Sequence, residues 1–179
     1  MAKDPEVGIR EAKREHCFEI ARDLRRDDYL ELRYMFGSDV DHGWVLDSQR
    51  LANPKHCHTL FINEDLVGIG GCAETRPGIG VPWFIGTSKV NKHRFTFHYL
   101  AKKLVEYWSG QYLLLSNVVW DGSKNKAWLE RLGFSMSPSL SFITEAGGEF
   151  RRFTMIGQQQ EEEECVQHQH SLRFKPQVK

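Results

Sequence analysis

Between Val81 and Trp120 the sequence changes period twice, and this constrains the fold more than any other stretch. Val81 to Thr87 reads as a strand. Asn91 to Trp108 reads as the longest helix of the chain, with Phe95, Tyr99, Leu100, Leu104, Val105 and Trp108 expected on its inner face. Lys92, Arg94, Lys102, Lys103 and Glu106 fall on the opposite side. Tyr112 to Trp120 returns to a strand, too apolar for an edge and therefore central. A helix joining two strands of one sheet makes a right-handed crossover, so these strands are expected to be parallel neighbours.

The flanking sequence supplies partners for this unit. Val7 to Glu11 reads as a first strand. His16 to Met35 reads as a helix pair, broken at the charged patch Arg22 to Asp28. Leu46 to Ala52 suits a short helix, ended by Asn53-Pro54. His58 to Asn63 and Leu66 to Ala73 read as a hairpin whose second arm carries Gly68, Gly70 and Gly71. Glycines inside a strand point to a bulge or to close approach by another group. Leu140 to Glu145 and Glu149 to Ile156 flank Gly147-Gly148, a second hairpin signal. The fold class is α/β: a mixed central sheet flanked by helices.

Residues 1–157 are expected to form one domain, and 158–179 an acidic and polar C-terminal tail opening on Gln158 to Glu164. The formal charge is zero and the pI about 7.1, so no global positive field marks a nucleic-acid partner. No apolar run reaches the roughly twenty residues that span a bilayer. The amino terminus lacks the apolar core of a signal peptide. Cys17, Cys57, Cys72 and Cys165 have no paired spacing, which favours free thiols. In His56-Cys57-His58 an extended backbone turns Cys57 away from both imidazoles, so no metal site is expected there.

The motif that adds chemistry follows the central strand. Val118-Val119-Trp120 ends at the turn Asp121-Gly122, and Ala127, Trp128, Leu129 and Leu132 form one stripe of a short helix. Trp128, Leu132 and Phe134 are expected to bury against the strand. Gly133 suits the left-handed position past the helix end. Strand, polar turn, short helix and Leu-Gly-Phe together resemble the GNAT acetyltransferase fold, and the element order agrees from about residue 5 to 157.

The resemblance implies acetyl-CoA held where the two parallel strands splay, its diphosphate on backbone amides at the start of the long helix. The contacts it implies are Ile85, Lys89, Lys92, His93, Arg94, Asn117 and Asn125. It also implies a general base, for which Glu74 at the end of the glycine-rich strand is the candidate. Two features depart from the family pattern. No glycine stands between Thr87 and Ser109, where the phosphate loop needs close approach. Leu129 occupies the position of the usual proton-donating tyrosine. The cofactor is implied by the fold, and these departures argue against its binding.

A narrower resemblance accommodates both departures. Pro82 to Val90, Leu115 to Gly122, and Trp128-Leu129 ahead of Leu132-Gly133-Phe134 are similar to the small internal virion proteins of short-tailed bacteriophages, which carry a GNAT-like core with an eroded cofactor loop. It implies a virion or assembly protein, located in the particle or the host cytoplasm. Its partners would be other virion proteins reached through the tail, in an oligomeric assembly. The alternatives are an active N-acetyltransferase acting on an amine of a protein or small molecule, and a CoA-binding sensor.

Overall fold

The computed structural model describes residues 5–37 and 42–158. Most of the tail, from residue 159, and Cys165 lie outside the described residues.

The strands are β1 (Val7–Glu11), β2 (His58–Ile62), β3 (Asp65–Arg76), β4 (Ile79–Gly86), β5 (Leu114–Trp120), β6 (Ser135–Ile143) and β7 (Glu149–Ile156). The helices are α1 (Arg14–Arg22), α2 (Arg26–Phe36), α3 (His42–Leu51), α4 (Arg94–Ser109) and α5 (Asn125–Arg131). Among the described residues the strands form one sheet in the order β1-β2-β3-β4-β5-β7-β6. All neighbours are antiparallel except β4 and β5, the pair joined through α4. The expected mixed α/β fold and central parallel pair are both present.

The β4–β5 pairing is short. Ile79 faces Leu114 and Gly80 faces Leu115, and the registered pairing stops there. Beyond that point each strand keeps a strand ladder only on its outer side, β4 to β3 and β5 to β7. The sheet therefore opens in its middle toward the carboxyl ends of the two strands.

Two cores pack against the sheet. Leu100, Leu104, Val105 and Trp108 of α4 join Leu115 and Val119 of β5 and Leu129 of α5 in one. Ile20 of α1 and Val45 and Leu46 of α3 join Ile69 and Ile85 in the other. The glycines of β3 make room for its neighbour. A Cβ on Gly70 would meet the Phe84 ring at 2.8 Å, and one on Gly71 the Trp83 ring at 2.5 Å. Both glycines lie opposite those residues in register. The close approach expected from the sequence is an aromatic ring laid over each glycine.

Three expectations shift. The inner face of α4 is Phe97, Leu100, Ala101, Leu104, Val105 and Trp108, while Phe95 and Tyr99 are 77% and 57% exposed. A 3₁₀ turn over Ser88–Asn91 delays the helix to Arg94, and the segment carries apolar residues on both possible faces. Trp128 is half-buried, edge-on to Phe84 and stacked on Phe97, while Leu132 and Phe134 are buried as expected. Gly133 has φ +102°, the left-handed conformation assigned to it.

Trp108 is fully buried, and its indole N–H has no hydrogen-bond partner among the described residues. Trp108→Ala should cost about 3–5 kcal/mol by urea unfolding, because a large cavity remains. Trp108→Phe should cost much less, since it also removes the unpaired donor.

Candidate functional site

The opening between β4 and β5 creates a backbone problem. A strand end without a neighbour leaves its N–H and C=O groups unpaired, and burying them unpaired is costly. In this chain the α1–α2 connector supplies the partners. The Arg25 amide donates to the Gly86 carbonyl at 2.8 Å. The Gly86 amide donates to Asp28 Oδ2 at 2.7 Å. Leu24 bridges to Thr87, and the Ser88 amide donates to the Asp23 carbonyl at 2.9 Å. Residues 23–28 thus run along the end of β4 on the edge that β5 has left.

Asp28 anchors this arrangement. Its carboxylate accepts from Arg25 Nε at 3.2 Å and Arg25 Nη2 at 2.6 Å, a two-point contact that fixes both side chains. Asn125 Nδ2 of α5 adds a long contact to Asp28 Oδ1 at 3.4 Å. One buried carboxylate therefore joins α2, β4 and α5 at the mouth of the splay.

Two clefts meet there. The narrower has a volume of about 70 Å³ between Arg25, Pro82, Asn117, Trp128, Leu129 and Phe153. The wider has a volume of about 440 Å³ on the α2 and α3 side, with Leu32, Met35, Leu51, Val81 and Ile85 in its walls. Glu31, Trp83, Phe84, Asn117, Val118 and Asn125 line both.

Glu31 is the group that the sequence did not single out. It sits one helical turn after Asp28, and its Oε2 is buried without a hydrogen-bond partner among the described residues. Burial, and then the neighbouring Asp28 charge, push its carboxyl up to about 8. Arg25, the Trp120 amide and the Asn125 side chain pull the other way. In the sequence it is one acid among several in a charged helix, with no signal of its own.

Glu74, the candidate base, stands exposed at the rim of the wide cleft, and its Oε1 accepts from the Gly78 amide at 3.1 Å. Asn117 and Asn125 do reach the splay. Asn117 Nδ2 donates to the Pro82 carbonyl at 2.9 Å and its Oδ1 accepts from the Val118 amide, tying β5 to β4 where their ladder has ended. Ile85 is buried in the α1–α3 core and touches the wide cleft.

The basic residues before α4 gather around one acid. Asp65 Oδ2 accepts from His93 Nε2 at 2.8 Å and from Lys92 Nζ at 2.9 Å, with Lys89 Nζ 3.8 Å from Oδ1. Hydrogen bonds from His93 and then Lys92 hold the Asp65 carboxyl down to about 2. Arg94 lies apart, its guanidinium 4.7 Å from the centre of the Phe95 ring.

Several of the loop amides are engaged as well. Val90 donates to Thr87, Lys92 to Lys89, and His93 to Lys89 and Val90. In this structure, acetyl-CoA in the mode the fold implies would have to displace contacts the chain makes with itself. The β4 edge is bonded to the chain's own connector, and the loop cations face an internal carboxylate. Among the described residues no group of three or more His, Cys, Asp or Glu side chains is gathered to hold an ion.

The raised Glu31 value has a defined consequence for stability. The folded state holds a proton that the unfolded chain releases near its ordinary 4.5, so stability falls as pH rises from about 4.5 to about 8. Glu31→Gln removes that loss. Its melting temperature should exceed the parent's at about pH 9 and match it at about pH 4, checked by thermal melts at both.

No protein-family model and no curated protein matches the sequence. Solved structures do match. Ard1 from Thermoplasma volcanium aligns over 84% of this chain and 97% of its own, with TM-score 0.61 and 12% identity. A spermidine N-acetyltransferase from Vibrio cholerae, solved with CoA and spermine, covers 84% and 95%, with TM-score 0.61 and 13% identity. A GNAT-family acetyltransferase from Bacillus anthracis covers 84% and 94%, with TM-score 0.62 and 8% identity. At such identities the likeness is one of architecture, and with the splayed parallel pair it establishes that this chain has a GNAT-like fold.

Proposed function

We propose that this chain is a GNAT-fold protein that has set aside acetyl transfer and serves in the assembly of a bacteriophage particle. The observation that carries the first half is the filled cofactor track. Arg25 and Asp28 bond both backbone groups of Gly86, and Asp65 takes His93 and Lys92. Leu129, in the position of the usual acid, is buried and has no proton to give. The second half is an expectation carried only by the resemblance read in the sequence at Pro82 to Val90 and Leu115 to Gly122; no curated protein matches the chain.

A second reading has one observation in its favour. A working N-acetyltransferase needs a base near neutral pKa, and Glu31 is held at about 8 beside both clefts. On that reading Glu31, rather than Glu74, takes the proton of an acceptor amine. The connector at Gly86 and the Asp65 cluster would both have to rearrange first.

Titration with acetyl-CoA separates the two. The assembly reading expects no rise in melting temperature, whereas a ligand at a hundredfold excess over its dissociation constant stabilises by about 2.7 kcal/mol. It also expects background rates of transfer to model amines. A clear thermal shift, with transfer lost in Glu31→Gln, would establish the enzyme instead. For the particle role, deletion of residues 158–179 should leave the domain's melting temperature unchanged and abolish incorporation, scored by mass spectrometry of purified particles.

A further inference from the structure

Among the described residues the sheet ends at β1, whose outer edge faces no strand. The direction of its backbone groups is fixed at both ends. The Asn63 amide donates to the Glu6 carbonyl at 2.8 Å, and the Ala12 amide donates to the Cys57 carbonyl at 3.3 Å. The β1–β2 register runs unbroken between them, from Val7 opposite Ile62 to Glu11 opposite His58. An antiparallel ladder alternates, so Glu6, Gly8, Arg10 and Ala12 turn their bonding groups toward β2. Val7, Ile9 and Glu11 turn theirs outward. The side chains of Val7 and Ile9 are 46% and 42% exposed. An edge with open backbone groups and exposed apolar side chains is a template for another strand. The opposite edge, β6, is blunted: Pro138 removes a donor, and the pairing with β7 is irregular on both sides of Leu140. Val7–Glu11 carries neither device.

The strand is also complementary to itself. Laid antiparallel about Gly8, two copies set Val7 against Ile9 on one face and Glu6 against Arg10 on the other. In this register the outward amide and carbonyl of Val7 meet those of Ile9 in the second copy. A slip of one residue would set outward groups against groups already bonded to β2. A slip of two would set Glu6 against Gly8 or Ala12 and lose the ion pair. Glu6 makes no ion pair among the described residues. Gly8 falls on the two-fold axis, where its missing side chain leaves room for Arg10. A Cβ on Gly8 would stand 3.5 Å from Arg10 Nε, and the guanidinium lies 4.3 Å from the centre of the Phe61 ring. We propose that a second copy of this chain docks on β1, antiparallel about Gly8, so that one sheet continues across a two-fold dimer. Such a contact uses each copy's edge once, so assembly through it stops at two. The inference goes beyond the assembly role and holds whether or not the chain enters a particle. β2 and β3 separate β1 from the splay, so the dimer leaves both clefts open.

The test is sedimentation equilibrium of the full chain. A short strand pair is a small interface, so a weak dimer is expected, with a dissociation constant of about 10–100 μM. Ile9→Pro removes an outward N–H that the β1–β2 ladder does not use. It should weaken dimerisation by about tenfold or more and leave the far-UV circular dichroism of the dilute chain unchanged. Glu6→Arg and Arg10→Glu each set like charges against each other, so each variant alone should be monomeric. Mixed in equal amounts they restore both ion pairs, and native mass spectrometry should find the mixed dimer. Amide hydrogen exchange of the parent chain decides without any variant, should these fail to fold. On raising the concentration through the dissociation constant, the Val7 and Ile9 amides should slow, while those of Gly8 and Arg10, already bonded to β2, should change little. A parent that stays monomeric to about 1 mM overturns the proposal. So does an Ile9→Pro dimer as tight as the parent's, a mixture of the charge variants that stays monomeric, or exchange at Val7 and Ile9 that is independent of concentration.

Discussion

The backbone of Gly86 and its neighbours sets the terms for this molecule. A sheet that opens between two parallel strands exposes hydrogen-bonding groups in its interior, and they must be answered. A ligand running along the strand is one solution, and solvent is another. This chain answers from within, through the Arg25 amide and the Asp28 carboxylate. The start of α2 is thereby fastened to β4, Asn125 of α5 is drawn toward the same carboxylate, and Glu31 is carried one turn further into the splay.

The electrostatics of the phosphate region follow the same logic. A cluster of Lys89, Lys92 and His93 without an anion would repel itself and would attract phosphates. With Asp65 at 2.8–2.9 Å from two of them, the attraction is directed inward. Cationic side chains at a helix start are therefore weak evidence of a phosphate site until their partners are known. Asp65 lies far from them in sequence, at the first position of β3, and only the β2–β3 turn and the 3₁₀ segment bring the groups together.

The contrast between Glu74 and Glu31 shows what a sequence can say about a site. Glu74 stands out because it ends a glycine-rich strand, and the structure places it at a cleft rim, bonded to its own turn. Glu31 is hidden in a helix that carries both acidic and basic residues. Its perturbation comes from burial and from Asp28, and both depend on how α2 lies against β5. Asn117 and Asn125 were legible as residues of the splay, but their bonds to Pro82 and toward Asp28 were not.

The sequence by itself determined the elements, their order and the central parallel pair. Local periodicity, turn residues and the handedness of a helical crossover are properties of short stretches and need no knowledge of distant contacts. It also marked Gly133 as left-handed, and the glycines of β3 as a place of close approach. Only the tertiary structure decided which face of α4 is buried, since Phe95 and Phe97 are both apolar and the onset of the helix chooses between them. It likewise decided what occupies the open edge of β4, which acid the loop cations meet, and which carboxyl keeps a buried oxygen without a hydrogen bond among the described residues. Those outcomes are set by contacts between residues some thirty to a hundred positions apart, from Asp65 and His93 to Asp28 and Asn125. Pairing at that range follows from the packing of whole elements, and the chemistry of the site follows from the pairing.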